Sequence, residues 1–395
     1  MTKILLIPYT ESLGHSGRTL EFAHVLSTKR ELEIQIAGGG QFDFIFPYQT
    51  VATPQVPYPS LGDWLHFYLP SLPFFECQSI FHRLKLEKTV GDKRLALEAM
   101  TQKWLEVLAE QSPDLLIVDG RPDVYWAAQV MNIPLFGIVS FVWTDLFTTR
   151  YGPTSDSLRE NDHALLHNFN RVGEKFGQLA VTNCWQPFYG RGRLIADSCT
   201  FTGTDLPAGC FSIGPNTWNG MVNCDVDFVH KLAEDRPLVY VTSGTSDFSV
   251  FSYVARELGD RGIQTVLSGG IRGTRLAGYH QDGSLHVCSG IVPGIDLIRR
   301  ANVVLCHGGV QTLYQAAVAG TLAFVLPQHF DHRRNGMMFA QHGFARVLSD
   351  ELTTEEVADQ IVSYLDDTSV QPTVRHLETG SMDVERLLRF LEVSV

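Results

Sequence analysis

Long apolar runs are missing from this 395-residue chain. No stretch approaches the ~18 consecutive apolar residues of a membrane-spanning helix. The apolar start, Ile4–Pro8 with Tyr9, is too short for the core of a secretory leader. Cysteine is sparse and odd in number: seven, at positions 77, 184, 199, 210, 224, 288 and 306, with no C-x-x-C among them. That excludes a disulfide framework, and the thiols read as buried groups of a reducing, cytoplasmic compartment. Positive charge is in deficit, with 31 Lys+Arg against 43 Asp+Glu for a net −12. Nucleic acid and anionic membrane are disfavoured as partners, although a local pocket can still oppose the global charge and take an anionic small molecule. G-x-G-x-x-G and G-x-S-x-G are both absent, which removes the nicotinamide or flavin fingerprint and the serine-hydrolase elbow.

What is present is an ordinary globular mixture, 44% apolar and 19% charged, in a chain long enough for two domains. Short apolar runs (Ile4–Pro8, Leu115–Asp119, Leu135–Val139, Leu238–Thr242, Thr265–Ser268, Val303–Cys306, Leu322–Leu326) alternate with amphipathic stretches such as Thr19–Ser27, Ala96–Gln111, Asp123–Met131 and Val310–Ala319. Continuous apolar strands separated by helices predict α/β architecture, with parallel sheets covered on both faces. We read two doubly wound domains: residues 1–210, then a Gly-, Asn- and Asp-rich linker at 211–235, then residues 236–380. Residues 381–395 carry Val384, Leu387, Leu388 and Leu391 on one helical face, a candidate for crossing back to the first domain.

The most informative segment is Val303–Gly336. A strand ends at Cys306, His307-Gly308-Gly309 turns, and a helix begins near Val310. The glycines admit a ligand close to the backbone, and the first-turn N–H groups have no intrahelical acceptor. Such a helix end suits a phosphate. Taken alone, the same three residues also fit a plain tight turn.

The surrounding spacing adds more. Val292-Pro293 stands 15 residues before His307, and Asp331-His332 stands 24 after it, followed by Asn335. The pattern resembles the nucleotide-sugar signature of the family 1 glycosyltransferases, which have the GT-B fold: two Rossmann-like domains facing a central cleft. Ile291-Val292-Pro293-Gly294, the run from His307 to Gln315, Gly320 with Pro327, and Asp331-His332 fall on that signature. The resemblance implies that Gly244, Thr245, His307, Gly308, Gly309 and Thr312 surround a donor diphosphate. It likewise assigns Ile291 and Val292 to the base, Gln315 to the ribose, and Asp331 with His332 to the sugar. At the other end, Gly14-His15 and the helix after it resemble the family's Gly-His-x-x-Pro turn. His15 then falls on the catalytic base and Asp119 on the acid that orients it. Arg18 stands where the family has proline.

The chemistry agrees with these residue types. A neutral imidazole accepts the acceptor's proton near neutral pH. A carboxylate on its other nitrogen fixes the tautomer and stabilises the imidazolium. Both residues follow strands, so they can meet at the carboxyl edge of one sheet. Gln315, where the family has glutamate, makes weaker hydrogen bonds than a carboxylate, which fits a thymidine-type donor lacking the 2′-hydroxyl. Aromatics crowd positions 42–81, and Trp64, Phe67, Phe74 and Phe75, with Trp143 further on, are expected to line an apolar acceptor pocket. His163 and His167 stand one helical turn apart without a third ligand, so no metal site is expected; nor is any cofactor beyond the donor as co-substrate. The sequence thus predicts an inverting, metal-independent hexosyltransferase. It would move sugar from a UDP- or dTDP-linked donor to a lipophilic or aromatic natural-product acceptor, as a monomer or homodimer. A catalytically silent sugar-nucleotide-binding partner protein and a GT-B sugar-nucleotide epimerase are the alternatives.

Overall fold

A computed structural model of the chain describes residues 1–10, 13–38, 50–52, 89–151, 163–183, 185–215, 217, 218, 232, 234–244, 249–269, 284–288, 292, 294–328, 330–367, 376, 377 and 382–392. Two compact units emerge: Met1–Asn216 with Ser381–Val395, and Thr217–Gly380.

The first unit holds a parallel sheet of seven described strands. In chain order these are β1 (Thr2–Pro8), β2 (Leu32–Gly38), β3 (Thr50–Ala52), β4 (Leu115–Asp119), β5 (Leu135–Val139), β6 (Gly192–Ile195) and β7 (Cys210–Ser212). Their spatial order is β3-β2-β1-β4-β5-β6-β7. The expected strands are there, and β1 and β4 are buried as parallel strands covered on both faces must be. Helix α1 (Leu13–Ser27) returns the chain from β1 to β2 and buries Leu20, Phe22, Ala23 and Leu26. The Thr89–Gln111 helix presents Leu97, Met100, Trp104 and Leu108 to the interior at spacings of three and four. Trp104 and Leu108 pack with Leu5, Ile7, Leu116 and Val118 into one core. Strand β7 includes residues 211 and 212, the first of the expected linker, because Phe211 packs against Phe390 and its strand pairs with β6. The Val384–Phe390 helix belongs to this unit and buries Leu387 and Leu388.

The second unit holds six described parallel strands: β8 (Leu238–Thr242), β9 (Gln264–Ser268), β10 (Leu285–Cys288), β11 (Val303–Cys306), β12 (Leu322–Val325) and β13 (Ala345–Val347). Their order, β10-β9-β8-β11-β12-β13, repeats that of the first six strands of the other sheet. The Val310–Ala319 helix ends on Gly320, whose left-handed φ of 74° caps it. The Thr354–Asp366 helix opens with a capping box between Thr353 and Glu356, and adds Val357, Ala358 and Ile361 to the core of β8, β11 and β12.

In each sheet the strand order reverses about its first strand, leaving a crevice at the carboxyl edge. That crevice lies between β1 and β4 in one unit and between β8 and β11 in the other. Ligands of open α/β sheets bind at such switch points.

Candidate active site

In the first unit, Pro8 of β1 pairs in register with Asp119 of β4. Asp119 therefore stands at the switch point, and α1 starts five residues beyond Pro8 with His15 in its first turn. The His15 Nδ1 lies 2.5 Å from Asp119 Oδ1. A carboxylate only accepts, so Nδ1 donates to it, which in the neutral ring leaves the lone pair on Nε2. The His15 side chain is 30% exposed against 1% for Asp119, so one end of the ring reaches solvent while its partner does not. Tyr9 meets the ring edge-on, with centroids 5.9 Å apart. Behind it, Gly120 has a φ of +72°, and a Cβ there would approach His15 Cε1 to 3.2 Å.

Arg18, one turn along α1, is buried and forks onto the same carboxylate. Its Nε donates to Oδ2 at 2.9 Å and its Nη2 to Oδ1 at 2.6 Å. Nη2 also stands 3.3 Å from His15 Nδ1. Burial pushes the Asp119 carboxyl up, but the Arg18 charge, followed by His15, overcomes it and holds Asp119 below the ordinary carboxylate value.

In the second unit, Thr242 ends β8 in register with Cys306 of β11, so the turns after both strands converge at the switch point. The His307 ring fills the space between two glycines. A Cβ on Gly244 would lie 2.6 Å from its Cε1, and one on Gly309 would lie 2.5 Å from its Nε2. Gly308 has a φ of +97°, and a Cβ there would meet the His332 carbonyl oxygen at 2.6 Å. Asn335 Nδ2 donates to the Gly308 carbonyl at 3.0 Å. The start of the Phe330–Gln341 helix is thereby tied to the glycine turn. Gly309 is the N-cap of the Val310–Ala319 helix, and no side chain caps that end. A helix N-terminus of this kind suits an anion. Burial pushes the Cys306 thiol up to about 12, against a hydrogen bond from the Gly308 backbone, so the thiol beneath the turn is unreactive.

Thr312, Gln315 and Asp331 are half-buried on the two helices that open here. Gln315 Nε2 donates to the Trp218 carbonyl at 2.9 Å, and its amide oxygen is an acceptor. His332 is 8% exposed, and its ring meets that of His307 edge-on at 4.5 Å. The carbonyl of Val292 accepts from the Gly294 amide at 2.7 Å. Ser243, between β8 and Gly244, escaped the sequence reading. It is fully buried, and its hydroxyl has no hydrogen-bond partner among the described residues. The hydroxyl-rich run Thr242–Ser246 was the available signal.

Trp143 is half-buried in the turn after β5, edge-on to Trp185 at 5.9 Å, and Trp185 leans on Phe188 at the same separation. Asp197, just beyond β6, fixes that turn by accepting from the Phe141 amide at 2.5 Å and the Ser140 hydroxyl at 3.1 Å. Trp185 and Phe188 were not picked out from the sequence, because neither sits in a recognisable motif. Thr245, Ile291, Trp64, Phe67, Phe74 and Phe75 lie outside the described residues. Among the described residues, no group of three or more His, Cys, Asp or Glu is placed to hold a metal. No described helix is long and apolar enough to cross a membrane.

No family model matches the chain. It is 26% identical over 294 residues to a PGL/p-HBAD biosynthesis glycosyltransferase of Mycobacterium tuberculosis, spanning 69% of this chain and 68% of that one. It is 25% identical over 388 residues to a PGL/p-HBAD biosynthesis rhamnosyltransferase of Mycobacterium bovis, spanning 92% and 80%. The chain has the GT-B fold and is similar to glycosyltransferases. Solved structures agree on the fold. A spinosyn rhamnosyltransferase complexed with spinosyn aglycone superposes with a TM-score of 0.67 at 16% identity, covering 98% of this chain and 99% of that one. The calicheamicin glycosyltransferase CalG4 gives 0.62 at 15%, covering 99% and 94%. The switch-point residues of this glycosyltransferase therefore sit on a scaffold shared with natural-product transferases.

Proposed function

We propose that the enzyme transfers a hexose from a thymidine- or uridine-diphosphate sugar to a hydroxyl of a lipophilic or aromatic acceptor, with inversion. The carrying observation is the imidazole–carboxylate pair at the first unit's switch point. His15 Nε2 takes the acceptor proton while the acceptor oxygen bonds to the anomeric carbon from the face opposite the leaving group. The carbon–oxygen bond to the diphosphate breaks, and its electron pair leaves with the nucleoside diphosphate. Asp119 holds the imidazolium that results. The second unit supplies the donor groups: the amides of the Val310–Ala319 helix, His307, and the backbone around Gly244 and Thr245 for the diphosphate. Val292 and Ile291 take the base, the Gln315 oxygen the ribose, and Asp331 the sugar. His332, packed on His307, supports that ring and borders the sugar. Trp143 with Trp185 and Phe188, together with Trp64, Phe67, Phe74 and Phe75, provides apolar surface for the acceptor.

Two relatives support the donor class by their names. A spinosyn rhamnosyltransferase is known complexed with thymidine diphosphate, and another glycosyltransferase in complex with dTDP. The protein should be melted with dTDP and UDP, where a ligand at ~100 times its dissociation constant adds ~2.7 kcal/mol. His15→Ala is then expected to keep that stabilisation while turnover falls at least ~10²-fold. Loss of nucleotide binding in His15→Ala, or stabilisation by neither nucleotide, overturns the reading.

A further inference from the structure

We propose that Arg18 is a positioning residue for the base. Its guanidinium clamps both oxygens of Asp119 and limits the negative charge the carboxylate lends to His15. The inference rests on the reading of His15 as the base and adds a residue to it. A carboxylate beside a lone histidine does two things: it fixes the tautomer, and it stabilises the imidazolium before substrate arrives. A base that is already protonated cannot act. Here one carboxylate is shared. Its Oδ2 is taken by Arg18 Nε at 2.9 Å, and its Oδ1 is divided between Arg18 Nη2 at 2.6 Å and His15 Nδ1 at 2.5 Å.

A guanidinium stays charged at every working pH and matches a carboxylate through two parallel bonds. At 5% exposure for Arg18 and 1% for Asp119, the pair is poorly screened by water. Arg18 Nη2 and His15 Nδ1 converge to 3.3 Å. Both carry N–H, so a second ring proton adds positive charge next to a fixed cation. Among the described residues, the other charges nearby are paired elsewhere. On α1 itself, Glu21 and His24 are paired with one another. In the turn after β4, Arg121 closes on Asp123 at 2.7 Å, with Trp104 donating to the same carboxylate. Just past β1, the uncharged Tyr9 ring meets His15 edge-on. Arg18 and His15 are the charged groups that act on Asp119.

The test uses diethyl pyrocarbonate, which reacts with unprotonated imidazole. The full-length protein is modified across pH 5–8, and the peptide carrying His15 is followed by mass spectrometry. For Arg18→Gln the pH midpoint is expected to move up by about one unit, a tenfold change in the protonation equilibrium. For Arg18→Lys, which keeps the charge and loses the fork, it should stay within about 0.3 units of wild type. A purely structural role would change the plateau rate and leave the midpoint in place. An Arg18→Gln midpoint equal to or below that of wild type overturns the proposal. Should Arg18→Gln fail to fold, Arg18→Met, which keeps the bulk and removes the charge, takes its place: a midpoint raised by about one unit supports the charge role, and a midpoint equal to or below that of wild type refutes it. The measurement needs neither donor nor acceptor. Its failure therefore leaves the transferase reading intact, and failure of the nucleotide-binding test leaves this one standing.

Discussion

Asp119 accepts from a guanidinium and an imidazole in a place where a lone carboxylate would not remain ionised. Removing its charge tests what that arrangement contributes to stability. Asp119→Asn leaves the buried Arg18 without a counter-ion, which is expected to cost about 3–5 kcal/mol by urea denaturation at pH 7. The sign with pH follows from the folded-state value lying below the ordinary 3.8. The Asp119 contribution is full above 3.8 and is lost as pH falls below it through the folded-state value. The stability gap between wild type and Asp119→Asn should therefore close on acidification below 3.8. A gap that widens on acidification would mean that Asp119 is protonated in the folded protein. Residue-level legibility was uneven here. His15 and Asp119 could be paired from the sequence because the family motif they resemble supplies a partner 104 residues away. Arg18 read only as a departure from that motif, since no local pattern announces a salt bridge across 101 residues.

The glycine turn between β11 and the Val310–Ala319 helix separates two effects that sequence alone merges. Gly309 has φ −61° and ψ 127°, a conformation open to alanine. Yet its Cβ would stand 2.5 Å from His307 Nε2, so Gly309→Ala must displace the ring. Its melting temperature should change little, while affinity for dTDP or UDP falls about tenfold or more. Gly308, by contrast, needs a left-handed φ of +97° and abuts the backbone of His332. Gly308→Ala is expected to lose about 1–3 kcal/mol of stability in the same melts. Equal thermal losses in both variants would show that the turn is a structural device only. At this scale the apolar runs carried the reading: β1, β4, β5, β8, β9, β11 and β12 are buried strands, and each was recognisable as a short, mainly apolar run. Strands β2, β3, β6, β7, β10 and β13 were not. β3, β7 and β13 have three residues each, and β2, β6 and β10 mix polar with apolar side chains. Each takes its conformation from the ladder beside it rather than from its own pattern.

Two units with one strand order give the molecule two switch points, and each gathers the residues of one half of the proposed chemistry. The chain leaves the first unit at residue 216 and returns to it at 381, so the first unit is completed only by the last helix. That return was legible as an apolar face, Val384, Leu387, Leu388 and Leu391, although its site of packing was not. Leu387, Leu388 and Leu391 are 0–2% exposed. Phe390 lies 5.6 Å from Phe136 of β5 and 5.4 Å from Phe211 of β7. Lys29 of the first unit also pairs with Glu385. Each fully buried leucine contributes about 1.5–3 kcal/mol, so removing three of them takes away on the order of 5 kcal/mol, comparable to the whole stability of many domains. A chain ending at residue 380 is therefore expected to lose or sharply lower the unfolding transition of the first unit in calorimetry. The transition of the second unit should remain, with dTDP or UDP still raising it. If the first unit melts unchanged, the terminal helix is an ornament on its surface. If the nucleotide effect vanishes with the helix, the donor groups are not confined to residues 217–380.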